Sequence, residues 1–165
     1  LNLLVNIVLK HRKFNMTDQQ PIFAIEKIYV KDLSLEIPHA PHIFLEQQQP
    51  NVELNLNFHS DKIDEGVYQT TLHAVVDAKI NGKQMFLIEV DQVGIFQIRN
   101  VSEEQLSLLQ NIECTTILFP YLRETVSDLV IRAGFLPILL SPVNFAYLYQ
   151  QKQQAQETSA NHTVN

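Results

Sequence analysis

Apolar and polar residues alternate through the first hundred positions of the chain. Val52, Leu54, Leu56 and Phe58 alternate with Glu53, Asn55, Asn57 and His59, the period-2 pattern of a half-buried strand. Tyr68, Leu72, Ala74, Val76, Ala78 and Ile80 oppose Gln69, Thr71, His73, Asp77 and Lys79. Asn81-Gly82 comes next, the pair favoured in a two-residue hairpin turn. The next strand is expected from about Lys83 to Ile98, with Phe86, Ile88 and Val90 on one side and Met85, Leu87, Glu89 and Asp91 on the other. Leu87 beside Glu89 makes an odd solvent face. An earlier segment, Phe23 to Ile37, is less regular. Phe23, Ile25, Tyr29, Leu33, Leu35 and Ile37 share one parity there, and Lys27 and Lys31 interrupt it. Pro38-His39-Ala40-Pro41-His42 ends that strand.

The period then changes to that of helices. Ser102-Glu103-Glu104-Gln105 reads as a capping box, with Leu106, Leu109 and Ile112 on one stripe. Ile117-Leu118-Phe119 is expected to run extended into a helix that opens at Pro120, because proline suits a first turn and biases its predecessor away from helix. Leu122, Val126, Leu129, Val130 and Ala133 form the apolar face of that helix, and Gly134 sits where a left-handed C-cap belongs. A third helix is expected near Asn144, after Pro142, carrying Phe145, Leu148 and Tyr149. Strands first and helices after imply an α+β domain with an antiparallel sheet.

Composition narrows the class. With 165 residues and 45% hydrophobic residues the chain suits one domain with a real core. The net charge of -6 argues against a nucleic-acid partner. The single cysteine, Cys114, excludes an internal disulfide and fits a reducing cytosol. Residues 1–15 are read as a non-native N-terminal extension: an apolar run precedes a basic one, the reverse of a secretory signal, and is too short to span a bilayer. A peripheral membrane anchor is the second reading of that stretch. Residues 16–21 are expected to be a flexible N-terminus, 22–150 the domain, and 151–165 a disordered polar tail.

Catalytic chemistry has little support. The glycines Gly66, Gly82, Gly94 and Gly134 are scattered, so no phosphate-cradling loop exists. His39 and His42 sit in a proline-kinked loop with no obvious third metal ligand. Cys114 in an apolar stretch reads as packing rather than as a nucleophile. Asp61, Asp64 and Glu65 read as solvated turn charges. The expectation is no enzyme activity, no cofactor and no metal.

The segments together resemble SecB, the bacterial protein-export chaperone family. The resembling residues are Ile28-Tyr29-Val30-Lys31-Asp32-Leu33-Ser34-Leu35-Glu36, Pro38-His39-Ala40-Pro41, Gly94-Ile95-Phe96, Ile117 to Glu124, Ala133-Gly134-Phe135 and Pro142-Val143-Asn144-Phe145. The resemblance implies a four-stranded antiparallel sheet with helices on one side, assembled as a dimer of dimers, a homotetramer. It implies a cytoplasmic holdase for unfolded preproteins that works without ATP, does not insert into membranes and delivers clients to the SecA motor. The basic, zinc-binding C-terminal tail belongs to SecA. Two positions depart from the family pattern: Gln48 stands where a tryptophan is common, and Val93-Gly94 stands where a glycine pair is.

Candidate site residues come from the pattern and the resemblance together. Val52, Leu54, Leu56, Phe86, Leu118, Phe119 and Tyr121 are expected in a client-binding groove, because apolar burial is non-directional and tolerates many sequences. Asp32, Glu36, Leu87 and Glu89 map onto the SecA contact. Ile88, Val90 and Gln92 are expected at the oligomer interface. Two other readings stay open: a SecB-like chaperone of a toxin–antitoxin pair, and a small α+β ligand-binding domain or enzyme.

Overall fold

All four alternating segments form strands, and the sheet they build sets where every candidate residue faces. The computed structural model describes residues 20–162, with side chains to residue 155; the expectations for residues 1–15, and for most of 16–21, lie outside that range. The strands are β1 (Ile22–Glu36), β2 (Asn51–Asp64), β3 (Val67–Ile80) and β4 (Lys83–Arg99). They form one antiparallel sheet in the order β1-β4-β3-β2, so β1 and β2 are its edges. Asn81 and Gly82 take φ of 52° and 76°, the left-handed pair that a type I′ turn requires between twisted strands.

The irregularity of β1 has a local cause. Its pairing with β4 shifts register between Ile25 and Lys27 and again between Val30 and Asp32. Glu26 and Lys31 are thus the extra residues of two bulges, and each bulge reverses the parity of the strand beyond it. Phe23, Ile25, Ile28, Val30, Leu33 and Leu35 consequently share one face. The lysines do not interrupt it, and Tyr29 moves to the other face, where its hydroxyl donates to Gln69 Oε1 at 3.0 Å.

The helices lie on one side of the sheet. The capping box at Ser102 is formed: the Gln105 N–H donates to Ser102 Oγ and the Ser102 N–H donates to Gln105 Oε1. It opens α1 (Glu103–Leu108), which continues through a π-helical segment (Leu109–Glu113) into α2 (Cys114–Arg132). The extra residue of a π turn rotates the helix by roughly 100°. That turns the sparsely buried α1 stripe into a face with Cys114, Leu118, Leu122, Val126 and Val130 fully buried. The expected extended entry before Pro120 is therefore corrected, since Pro120 lies inside α2. Both Pro120 and Thr116, whose carbonyl loses its donor, are exposed, so water reaches the orphaned group.

α2 ends as expected. Gly134 has φ of 87°, its N–H donates to the Ile131 carbonyl, and the Phe135 N–H donates to Val130, the bonding of a Schellman cap. Asn144 caps α3 (Phe145–His162) by accepting from the Tyr147 N–H at 3.0 Å. The tail expected to be disordered from residue 151 instead continues α3 as far as His162, in a run of Gln, Lys and Ala that carries no helix breaker.

The core lies between sheet and helices. Leu72, Ala74, Val76 and Ala78 of β3 meet Phe86, Ile88, Val90 and Phe96 of β4 beneath α2. Each large side chain removed from water there stabilises the fold by about 1.5–3 kcal/mol. Ile88 (0% exposed), Val90 (1%) and Gln92 (2%) belong to this layer, which corrects their expected place at an oligomer interface. Gln92 is held inside, donating to the Tyr29 carbonyl at 3.0 Å and accepting from Thr125 Oγ1 at 3.5 Å. A side chain already covered by its own helix has no apolar area to offer a partner.

Two candidate binding surfaces

The first surface runs along β2. Val52, Leu54 and Leu56 point to the helix side, half-buried against the core, while Asn51, Glu53, Asn55 and Asn57 are exposed. The half-burial comes from position, since β2 is an edge strand and α2 sits over β3 and β4. Phe58 closes the row. It is buried beneath α3 by an edge-to-face contact with Phe145, centroids 6.1 Å apart.

Beyond the other end of the row, the crossover from β1 to β2 and the loop after α2 enclose an open cleft of about 380 Å³. Its walls include Ile43, Phe44, Gln48, Met85, Phe86 and Phe135. Phe135 stacks at a tilt on Phe44 (5.0 Å) and on Phe86 (5.5 Å), within the range of favourable ring pairs. Phe44 is 48% exposed and Leu136, at the rim, 86%. Phe44 and Phe135 lie outside the periodic segments, and Met85 is the extra residue where the pairing of β3 with β4 shifts between Gln84 and Phe86, so sequence reading misses all three as cleft walls. The Schellman cap at Gly134 is the available signal, since it fixes where Phe135 lands.

The other residues expected in the groove are divided between the cleft, the core and the outer side of α2. Phe86 is fully buried and forms the cleft floor. Leu118 (0% exposed) and Phe119 (6%) are core rather than groove wall, with Phe119 packed edge-on against Phe145 at 5.6 Å. They face inward because the helix runs through Pro120 and places both on its buried side. Tyr121 is half exposed on the outer side of α2.

The second surface is the open face of the sheet. Register places Asp32 opposite Asp91, Ser34 opposite Glu89 and Glu36 opposite Leu87. Asp32, Glu36, Leu87 and Glu89 are thereby brought onto one patch. β3 extends it, with His73 opposite Asp91 and Asp77 opposite Leu87. Asp91 Oδ1 lies 2.6 Å from His73 Nδ1, and Asp77 Oδ2 lies 2.7 Å from Lys79 Nζ. The Lys79 hydrogen bond, aided by one from Gln84, holds the Asp77 carboxyl below its ordinary range. Asp32, Glu36 and Glu89 have no cation of this kind among the described residues, so they are the carboxylates of the patch left to attract one.

No group of three or more metal-ligating side chains occurs among the described residues. No helix among them is long and apolar enough to cross a membrane. Cys114 is buried, and desolvation pushes its thiol up to about 12, which leaves it protonated and unreactive at neutral pH.

Known proteins share this framework. A family model described as "Preprotein translocase subunit SecB" matches residues 16–156. The protein-export protein SecB of Nitrosospira multiformis is 56% identical over 142 residues, covering 86% of this chain and 89% of the relative. That of Neisseria meningitidis serogroup B is 52% identical over 142 residues, covering 86% and 97%. Among solved structures, a SecB-like chaperone of Mycobacterium tuberculosis, in complex with a ChAD peptide from the HigA1 antitoxin, superposes with a TM-score of 0.62. It is 18% identical and covers 73% of this chain and 90% of that one, so it bears on the fold alone. A family match over most of the chain, with relatives more than half identical, makes this chain a member of the SecB family.

Proposed function

We propose that this protein-export chaperone holds unfolded precursors on the β2 row and the aromatic cleft, and passes them to SecA at the acidic open face. The observation that carries the reading is the half-buried row Val52, Leu54 and Leu56 on a free sheet edge, which starts just past Pro50 in the wall of an aromatic cleft. Such a surface needs no particular side-chain partner. Apolar contact contributes about 25 cal/mol per Å², and an extended client adds backbone hydrogen bonds at the edge. The cleft takes a bulky apolar anchor. Gln48 in its wall leaves one fewer ring for that anchor than a tryptophan would.

Handover uses charge. The basic, zinc-binding tail of SecA is steered to Asp32, Glu36 and Glu89 around Leu87, and such contacts weaken with salt. Assembly uses the opposite edge. Phe23, Ile25, Val30 and Leu33 are apolar and exposed on β1, in the same layer as the buried β4 row, since Leu33 pairs with Val90 and Val30 with Gln92. A second copy covers this row, and the exposed Tyr121 and Ile131 of α2 join two such pairs into a dimer of dimers. Several grooves then engage one client, and each later contact is intramolecular. The setting is the cytosol.

The test is capture. An exported precursor diluted from denaturant should stay soluble and unfolded in complex with this protein, without nucleotide, and should transfer to SecA. A precursor that aggregates at the same rate with and without the protein would sink the reading.

A further inference from the structure

Phe58 ends the half-buried row of β2, and both of its backbone polar groups are occupied from outside the ladder. Its N–H donates to Asn57 Oδ1 at 2.9 Å, and its carbonyl accepts from Lys152 Nζ at 3.2 Å. In an antiparallel pair the N–H and C=O of one residue point to the same side, alternating along the strand. Phe58 therefore turns both groups to the free edge. Val52, Leu54 and Leu56, at even spacing before it, turn theirs the same way. The edge available to a client backbone is thus open at residues 52, 54 and 56 and capped at 58.

The cap on the carbonyl comes from α3. Phe145 packs on Phe58 and Phe119, and Tyr149 shares a 2.7 Å hydrogen bond with Ser107, which roots the first turns of the helix. Lys152, further along, is exposed, and its ammonium stands 4.9 Å from the Phe58 ring centroid. It combines a cation–π contact with a charge-assisted hydrogen bond. It can release without unpacking the buried rings of Phe58 and Phe145. Lysine at a strand edge is a common way to stop further pairing.

We propose that Lys152, with Asn57, caps the β2 edge at Phe58 and so sets where a bound client strand ends. This role rests on β2 being the client surface. A client segment that pairs past Leu56 must displace the ammonium from the Phe58 carbonyl, so the end of α3 fixes both the length and the register of the bound stretch.

Hydrogen exchange of β2 amides tests this, with reduced, carboxymethylated α-lactalbumin as the unfolded probe. In the wild-type complex, client-induced protection is expected on β2 up to Leu56. In Lys152→Met, which keeps the apolar stem but loses the donor, protection extends through Phe58 to Ser60, and the probe binds about threefold more tightly. Lys152→Arg keeps a donor and keeps the wild-type boundary. Protection of β2 with the same boundary and affinity in Lys152→Met overturns the cap while leaving the groove standing. Absence of protection on β2 in both proteins overturns the groove and the cap together.

Discussion

β2 and β4 carry the same kind of pattern and do different work. Val52, Leu54 and Leu56 alternate with polar residues as cleanly as Phe86, Ile88 and Val90 do, yet the first set is half-buried and the second completely buried. The difference is place. β4 lies between β1 and β3 under α2, whereas β2 is an edge that the helix layer only partly covers. An alternating strand is core in the middle of a sheet and a half-exposed apolar row at its rim. The two edges differ as well. β1 has two bulges and an exposed apolar row suited to a second copy, while β2 has a regular row suited to an extended client and a lysine cap at its end.

Ile88→Asp tests the contrast between the two strands most severely. It places an unpaired carboxylate in the core and is expected to destabilise the fold by about 4 kcal/mol or more, read as a shift of the denaturation midpoint. A folded Ile88→Asp protein with an intact core and disrupted assembly would restore the interface role. Leu54→Arg, the matching change on β2, is expected to move stability by no more than about 1 kcal/mol, since the long side chain reaches solvent. It should weaken capture of an unfolded protein about tenfold, measured by titration calorimetry. Unchanged capture would remove β2 from the client surface.

Glu89→Lys probes the open face of β4 rather than its buried one. Stability should barely change. Affinity for a basic peptide should fall by roughly threefold at low salt, and the gap should close as salt rises. A salt-independent loss would point to misfolding instead of lost steering. The prediction for Cys114 shows only at alkaline pH. Burial raises its folded pKa to about 12 from a reference of 9.0, so the stability this neutral thiol contributes is full below pH 9. It declines as pH rises from there toward 12, because only the unfolded chain releases the proton. The slope rises to about 1.4 kcal/mol per pH unit above pH 9, and this contribution should be missing in Cys114→Ala when urea midpoints at pH 8 and 10 are compared. An equal slope in both proteins would place the thiol in contact with water.

Much of the fold is legible in the sequence because its signals are local. The period-2 runs, Asn81-Gly82, the Ser102 capping box and Gly134 each act within a few residues, and each sits where the pattern puts it. The acidic patch is legible through resemblance: Asp32, Glu36, Leu87 and Glu89 are far apart in the chain but meet through the register of β1 with β4. The misreadings share a cause. The local rule makes Pro120 a helix start because it ignores the helix already running from α1 into α2. Ile88, Phe86, Leu118 and Phe119 look like surface candidates because a hydrophobic face cannot say what covers it. Phe44 and Phe135 escape notice because loop aromatics have no period.

Consecutive residues alone were enough to place the four strands, the hairpin turn and the helix caps at Ser102 and Gly134, and to point to the family. Turn chemistry, periodicity and motif spacing are all written in neighbouring positions. The division of the apolar rows into core and surface is settled in three dimensions. Burial depends on strand order and on where α2 and α3 lie, and both arise from contacts between residues distant in the chain. Val52 and Ile88 look alike in sequence; a neighbouring strand on each side of one, and on only one side of the other, separates them.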